Sequence, residues 1–142
     1  FHPSQEKADR LGIQYVSFEQ LLQTADVISL HVKLTDESRH LIDKKELELM
    51  KQGALLINCA RGEVVQTDAL VEALDAGRLS GAGIDVYDQE PPPSDYPLLT
   101  CKQVILTPHC ADMTPEGVDL LNQGAVNNII AYLEGHPENI VS

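Results

Sequence analysis

Short runs of apolar residues alternate along the chain with stretches whose apolar residues recur at helical spacing. The runs predict strands at Asp26–His31, Ala54–Ile57, Gly81–Val86 and Val104–Leu106, with a further short strand at Ile13–Val16. The strands are continuously apolar rather than alternating, so we expect a parallel sheet covered by helices on both faces. Because strands alternate with helices, the fold class is predicted to be α/β, with a doubly wound parallel sheet.

Polar capping residues predict where the helices between these strands begin. The predicted caps are Ser17, Asp43, Thr67 and Thr114. Pro115 then occupies the favoured first position of the last helix, which is expected to run to about Leu133. Glycines predict where three helices end, at Gly53, Gly77 and Gly135.

Charge and cysteine content exclude several classes of function. The 142 residues include 10 Lys and Arg against 22 Asp and Glu, a net charge of −12. Such a charge disfavours nucleic acid and anionic membrane surfaces as partners. No apolar run approaches the ~20 residues of a membrane span. The three cysteines have no CxxC spacing, which indicates neither a disulfide framework nor a metal site and suits the cytoplasm.

Polar side chains stand where the predicted strands end. His31, Arg61, Asp85 and His109 follow the four main strands, and Glu90 lies five residues after Asp85. In sheets of this class ligands bind beyond the carboxyl ends of the strands. We therefore expect a site that combines a guanidinium, two imidazoles and two carboxylates.

Each of these residues has a chemical interpretation and a structural alternative. Arg61 can hold a substrate carboxylate through two parallel hydrogen bonds, or pair with a surface acid. His109 can donate or accept a proton near neutral pH, or serve as a hydrogen-bonded structural histidine. Glu90 can pair with His109, or remain a solvated loop acid. Asp85 needs a partner, because a buried carboxylate without one is costly.

Four segments, in order, resemble the D-isomer-specific 2-hydroxyacid dehydrogenases. They are Ile28–Thr35, the GALLINCARGEVV segment Gly53–Val65, the GAGIDVYDQEPP segment Gly81–Pro92, and the LTPHCADMT segment Leu106–Thr114. The resemblance covers nearly the whole chain. It implies a Rossmann-like sheet and an oxidoreductase that transfers a hydride between NAD or NADP and a small D-2-hydroxy acid or 2-oxo acid.

The resemblance also implies a role for individual residues. Arg61 would bind the substrate carboxylate, His109 would be the general acid/base, and Glu90 would pair with that histidine. The residues implied in cofactor binding are Val32, Cys59, Ala60, Arg61, Asp85, His109, Ala111 and Asp112. Lys33, Asp112 and Met113 depart from the proline and the small residues that the family usually has.

No GxGxxG loop occurs in the sequence. The family places that loop before the point that Phe1 matches, so the chain is expected to be the N-terminally truncated C-terminal part of a longer enzyme. Residues 1–113 would then belong to the dinucleotide-binding domain, and 114–142 would form a helix and tail crossing back toward a substrate domain. We expect the chain alone to be inactive, and the full-length protein to be a homodimer.

A second function is compatible with the same motifs. Dehydrogenase-like corepressors bind NAD(H) on this fold as regulators and can retain the Arg, Glu and His. Since function resides in the site rather than the fold, turnover of 2-oxo acids is what distinguishes the two interpretations.

Overall fold

The computed structural model describes residues 4–140 of the chain. It consists of two compact units, Phe1–His109 and Cys110–Ser142. Two sequence predictions fall on residues outside the described range of 4–140. One is the family match at Phe1, and the other is the end of the predicted tail, Val141 and Ser142. The domain division expected after residue 113 stays a prediction about the longer protein.

A four-stranded parallel sheet forms the centre of the first unit. Its strands are β1 (Val27–Leu30), β2 (Leu55–Asn58), β3 (Gly81–Ile84) and β4 (Val104–Leu106). They lie in the order β1-β2-β3-β4, with every neighbouring pair parallel. Since parallel strands need crossover connections, the helical segments lie between them. The predicted α/β class with a Rossmann-like parallel sheet is confirmed.

Five α-helices accompany the sheet in the described residues. The first unit holds α1 (Gln5–Leu11), α2 (Phe18–Thr24), α3 (Lys44–Leu49) and α4 (Thr67–Asp75), and the second holds α5 (Pro115–Leu133). Short 3₁₀ helices occupy Gly62–Val64 and Pro97–Thr100. The predicted caps Ser17, Asp43 and Thr114 each accept a backbone N–H at the start of their helix. These three caps are therefore confirmed.

Two expectations about individual elements are wrong, and one helix lies where none was expected. Segment 13–16 is not a strand, because it is solvent-exposed and pairs with no other strand in the described part of the chain. Helix α4 is capped by Gln66, whose side chain accepts the N–H of Ala69, whereas the Thr67 hydroxyl donates to Asp88. Helix α1 was not predicted, because only Ala8 of its residues is buried and no apolar stripe marks it.

The hydrophobic core lies between one face of the sheet and helices α2, α3 and α4. Representative members are Leu22, Leu47 and Leu70 from the helices and Ile28 and Leu56 from the strands. The opposite face is open within the described residues, since Val27, Leu55 and Ile105 are 50%, 40% and 73% exposed. Helices α2, α3 and α4 of the first unit thus contribute to one core on a single face of the sheet. No helix within residues 4–140 is long and apolar enough to cross a membrane.

Candidate active site

The turn after β2 is held by a buried amide. Asn58, at the end of the strand, is 1% exposed. Its side-chain nitrogen donates to the carbonyl of Arg61 at 2.9 Å, and its side-chain oxygen accepts the N–H of Ala60 at 3.0 Å. Since both polar atoms of this amide bond the turn, the path of residues 59–61 is fixed. The Arg61 side chain starts from a rigid turn and itself donates to the carbonyl of Ala60 at 2.6 Å.

A cleft of about 540 Å³ opens at the carboxyl ends of β1 and β2. It is lined by His31, Val32, Lys33, Leu34, Cys59, Ala60 and Arg61. Two of these residues are permanently cationic, one is a histidine, and none is acidic. In a chain of net charge −12, this lining is suited to an anionic ligand, and the apolar Val32 and Leu34 are suited to a flat ring beside it.

Asp85, directly after β3, is a buried carboxylate with a hydrogen-bonded partner. The residue is 3% exposed, and the Thr107 hydroxyl donates to its Oδ1 at 2.5 Å. Thr107 follows β4, so this bond joins the carboxyl ends of two neighbouring strands. A hydrogen bond to a charged acceptor compensates part of the cost of burying the carboxylate.

Glu90 and His109 are in direct contact. Nδ1 of His109 lies 2.7 Å from Oε2 of Glu90, and the side chains are 43% and 38% exposed. The backbone of His109 has a φ of 53°, a left-handed conformation that few residues other than glycine adopt. The unusual backbone and the carboxylate on Nδ1 together determine where the ring lies, and the carboxylate leaves Nε2 as the second nitrogen available for proton transfer.

Hydrogen bonds keep Glu90 ionised. The bond from His109 is the largest cause of a lowered pKa for the Glu90 carboxyl, followed by the backbone N–H of Tyr87, which donates to Oε1 at 3.1 Å. The charges of His109 and Arg61 lower this pKa further. The carboxylate therefore contacts the imidazole of His109 directly, and the charge of Arg61 acts on it as a smaller effect.

The other predicted cofactor-binding residues fall into three groups. Val32, Cys59 and Ala60 line the cleft with Arg61. Asp85 lies at the neighbouring strand end, with its carboxylate bonded to Thr107. Ala111 and Asp112 lie in the second unit, and their role at a cofactor stays a prediction. His31, noted at the end of the first strand, lines the cleft, and its Nε2 lies 2.8 Å from the Ser29 hydroxyl.

Asn58 and Thr107 are two positioning residues that the sequence analysis did not single out. Each carries a polar group at the end of an apolar strand, which is the signal that could have identified them. Within residues 4–140 the structure shows no group of three or more His, Cys, Asp or Glu side chains placed to hold a metal ion.

The sequence of the chain is similar to known dehydrogenase sequences. Residues 1–111 match the family model described as "D-isomer specific 2-hydroxyacid dehydrogenase, NAD binding domain". A glyoxylate reductase of Korarchaeum cryptofilum is 44% identical over 133 residues, 93% of this chain and 40% of that protein. The chain thus spans about two fifths of the length of that relative.

Two solved structures are similar in fold. A D-lactate dehydrogenase from Aquifex aeolicus, complexed with NAD and lactic acid, has a TM-score of 0.79 at 38% identity, over 94% of this chain and 45% of that one. An acyclic imino acid reductase in complex with NADPH and D-Arg has a TM-score of 0.85 at 33% identity, over 92% and 42%. The described fold therefore occurs in proteins crystallised with either nicotinamide cofactor.

Proposed function

The chain belongs to the D-isomer specific 2-hydroxyacid dehydrogenase family, and from that membership we propose that the protein carrying it transfers a hydride between a nicotinamide cofactor and a small D-2-hydroxy acid or 2-oxo acid. The observation that supports this proposal best is the Glu90–His109 contact at 2.7 Å within the field of Arg61. A cationic anchor beside an imidazole held by a carboxylate is what reduction of an anionic ketone requires.

Arg61 is proposed to bind the carboxylate of the 2-oxo acid. Its guanidinium lies in a cleft without acidic lining, on a turn that Asn58 fixes. A planar guanidinium meets a carboxylate through two parallel hydrogen bonds and so orients the neighbouring carbonyl. The same positive charge stabilises the negative charge that develops on the 2-oxo oxygen during reduction.

His109 is proposed to be the general acid in reduction and the general base in oxidation. Glu90 on Nδ1 orients the ring and leaves Nε2 as the atom that would give a proton to the 2-oxo oxygen. In the reverse direction Nε2 takes the proton of the 2-hydroxyl. The nicotinamide cofactor, when bound, supplies or accepts the hydride itself.

The cofactor is proposed to be NAD or NADP. The residues that line the cleft are chemically suited to a dinucleotide. Val32 and Leu34 form an apolar wall, and Lys33 provides a positive charge for an anionic group. The described residues of the first unit that we assign to cofactor binding are Val32, Cys59, Ala60, Arg61, Asp85 and His109, with Asp85 at the nicotinamide end. In the described residues no acidic side chain lines the cleft to repel phosphates.

A homodimer and a cytoplasmic location complete the proposal. Helix α5 exposes large apolar side chains that a second subunit could cover, namely Leu120, Leu121, Ile129, Tyr132 and Leu133. None of the three cysteines forms a disulfide, which suits a reducing compartment. Light scattering after size-exclusion chromatography of the full-length protein tests the dimer, and a monomeric mass at micromolar concentration would contradict it.

Turnover by the full-length protein is the test of the activity. We expect NADH or NADPH to be oxidised in the presence of at least one member of a 2-oxo acid panel that includes glyoxylate, hydroxypyruvate and pyruvate. The variants Arg61→Ala and His109→Ala should abolish that turnover. Tight binding of NADH with no turnover of any 2-oxo acid would instead support a regulator of the corepressor type.

A further inference from the structure

Tyr87 connects the two loops that carry Glu90 and His109. Its backbone N–H donates to Oε1 of Glu90 at 3.1 Å. Its phenol donates to the backbone carbonyl of Thr107 at 2.7 Å, two residues before His109. The other oxygen of Glu90 meets His109. One residue therefore contacts both segments whose side chains form the proposed acid/base pair.

The backbone of Tyr87 also touches the third loop of the site. Gly62, directly after Arg61, lies against the peptide that joins Tyr87 to Asp88. A Cβ built on Gly62 would stand 2.0 Å from the carbonyl carbon of Tyr87 and 2.4 Å from the nitrogen of Asp88. Only glycine allows this approach, so the loop of Arg61 packs directly against the backbone of Tyr87, the residue whose N–H bonds Glu90.

Core packing holds the Tyr87 ring in place. The ring meets that of Tyr96 edge to face, with centroids 5.6 Å apart and an interplanar angle of 78°. Tyr96 is 7% exposed, and its phenol lies 3.1 Å from the hydroxyl of Thr67 on α4. Because the Tyr96 ring is fixed by the core, the Tyr87 phenol is directed at Thr107 by packing rather than by solvent-exposed contacts alone.

We propose that Tyr87 is a positioning residue, whose phenol ties the end of β4 to the Glu90 loop and so keeps His109 within hydrogen-bond distance of Glu90. The proposal rests on the proposed function for its effect on activity. Tyr87 itself need not touch substrate or cofactor. Without the phenol, the 2.7 Å bond to the Thr107 carbonyl is lost, and the Glu90–His109 contact forms a smaller fraction of the time.

The test compares two variants that each remove one phenol oxygen from the same aromatic pair. Tyr87→Phe removes the bond to Thr107 and keeps the ring contact, whereas Tyr96→Phe removes the contacts of that phenol with Thr67 and with the Asp88 backbone and leaves the Thr107 bond in place. In the full-length protein we expect Tyr87→Phe to lower kcat roughly tenfold, since misplacement by an ångström costs up to about 10²-fold. The Kd for NADH should change less than twofold, and Tyr96→Phe should retain the wild-type kcat.

The pKa of Glu90 supplies a readout that is independent of turnover. Titration of the ¹³C-labelled Glu90 carboxyl by NMR should show its pKa rising toward the ordinary value in Tyr87→Phe, because the His109 hydrogen bond that lowers it is formed less often. An unchanged kcat with an unchanged Glu90 pKa would overturn the proposal. Loss of the fold in Tyr87→Phe but not in Tyr96→Phe would also overturn it, since Tyr87 would then be structural.

Failure of the proposed function is distinguishable from failure of this inference. A wild-type protein that reduces no 2-oxo acid contradicts the proposed function, and the role of Tyr87 is then decided by the Glu90 titration alone. An active wild type with an unaffected Tyr87→Phe variant contradicts only the role of Tyr87.

Discussion

Oε2 of Glu90 lies 2.7 Å from Nδ1 of His109, although 19 residues separate the two in the sequence. Glu90 lies on the loop after β3, and His109 lies at the end of the next strand in the sheet. Parallel order thus brings the two residues to the same edge. The hydrogen bond from His109 lowers the pKa of the Glu90 carboxyl.

Removal of His109 should raise the pKa of Glu90. In His109→Phe the largest cause of the lowered value is gone, while the Tyr87 N–H and the Arg61 charge remain. We therefore expect the pKa to move toward, but not fully reach, its ordinary value of 4.5. Titration of the ¹³C-labelled carboxyl by NMR measures it, with His136→Phe as the control because His136 pairs with Glu134 instead.

The direction of the pH effect follows from the same shift. Because folding lowers the Glu90 pKa, the contact stabilises the folded protein above the carboxyl's ordinary value, and this is lost as the pH falls through the lowered value. In His109→Phe the Glu90 pKa is lowered less, so the remaining stabilisation is smaller and its loss is complete at a higher pH. Acid unfolding curves that coincide for the variant and the wild type would contradict this account.

Arg61→Lys should impair activity although the charge is kept. An ammonium is a point charge and lacks the planar pair of donors that meets a carboxylate. We expect kcat/KM for the best 2-oxo acid to fall about 10- to 150-fold, corresponding to about 1.5–3 kcal/mol for a charged hydrogen bond. Arg39→Lys is the matched control, since Arg39 pairs with Glu63 outside the cleft. Equal losses in both variants would remove Arg61 from the proposed site.

Much of this arrangement could be predicted from the sequence. Apolar runs identified all four strands of the sheet, and reading the residue at each strand's end identified Arg61, Asp85 and His109. The strand predictions succeed because burial imposes a local pattern on a strand, whereas the roles of these three residues stay predictions. The predicted strand at 13–16 fails for the complementary reason, since an apolar segment becomes a strand only where another strand pairs with it.

The side-chain contacts that position the site could not be predicted from the local pattern of apolar and polar residues. The Tyr87–Thr107 and Asp85–Thr107 bonds join residues 20 and 22 positions apart, and no periodicity encodes which hydroxyl reaches which oxygen. The role of Gly62 likewise depends on how closely a distant peptide approaches it. The apolar runs also do not indicate on which side of the sheet each helix packs, and so they do not determine which face each helix covers.

Removal of the Thr107 hydroxyl should destabilise the fold. In Thr107→Val the buried Asp85 carboxylate loses a donor at 2.5 Å, and hydrogen bonds to charged groups contribute about 1.5–3 kcal/mol. We expect the free energy of unfolding, from urea denaturation, to fall within that range. Thr100→Val is the control, because its hydroxyl donates only to an exposed carbonyl, that of Pro97. A loss no larger than in the control would show that the Thr107 bond contributes little.

Lys33 should strengthen the binding of an anionic ligand to the cleft. Its ammonium is one of two permanent positive charges in the lining. In Lys33→Ala we expect the Kd for NADH at low salt to rise about 2- to 10-fold and its dependence on ionic strength to weaken, as screening requires. Lys102→Ala, outside the cleft, should leave both unchanged. Identical salt dependence for wild type and Lys33→Ala would show that the ammonium does not contact the ligand.

A methyl group at Gly62 should disturb the site, whereas one at Gly124 should not. The Cβ of Gly62→Ala would stand 2.0 Å from the Tyr87 carbonyl carbon, a distance that backbone atoms can relieve only by moving apart. Because the N–H of Tyr87 bonds Glu90 and the shifted loop carries Arg61, we expect a loss of activity of about 10²-fold together with a lower melting temperature.

Gly124 lies within α5 with nothing inside 4 Å of an added Cβ. Gly124→Ala should therefore leave activity unchanged and raise stability by up to about 1 kcal/mol through helix propensity. Kinetics and thermal melts of the two full-length variants measure the contrast. Wild-type activity in Gly62→Ala would show that the loops of Arg61 and Tyr87 can separate without cost to the site, and the close approach at Gly62 would then have no catalytic consequence.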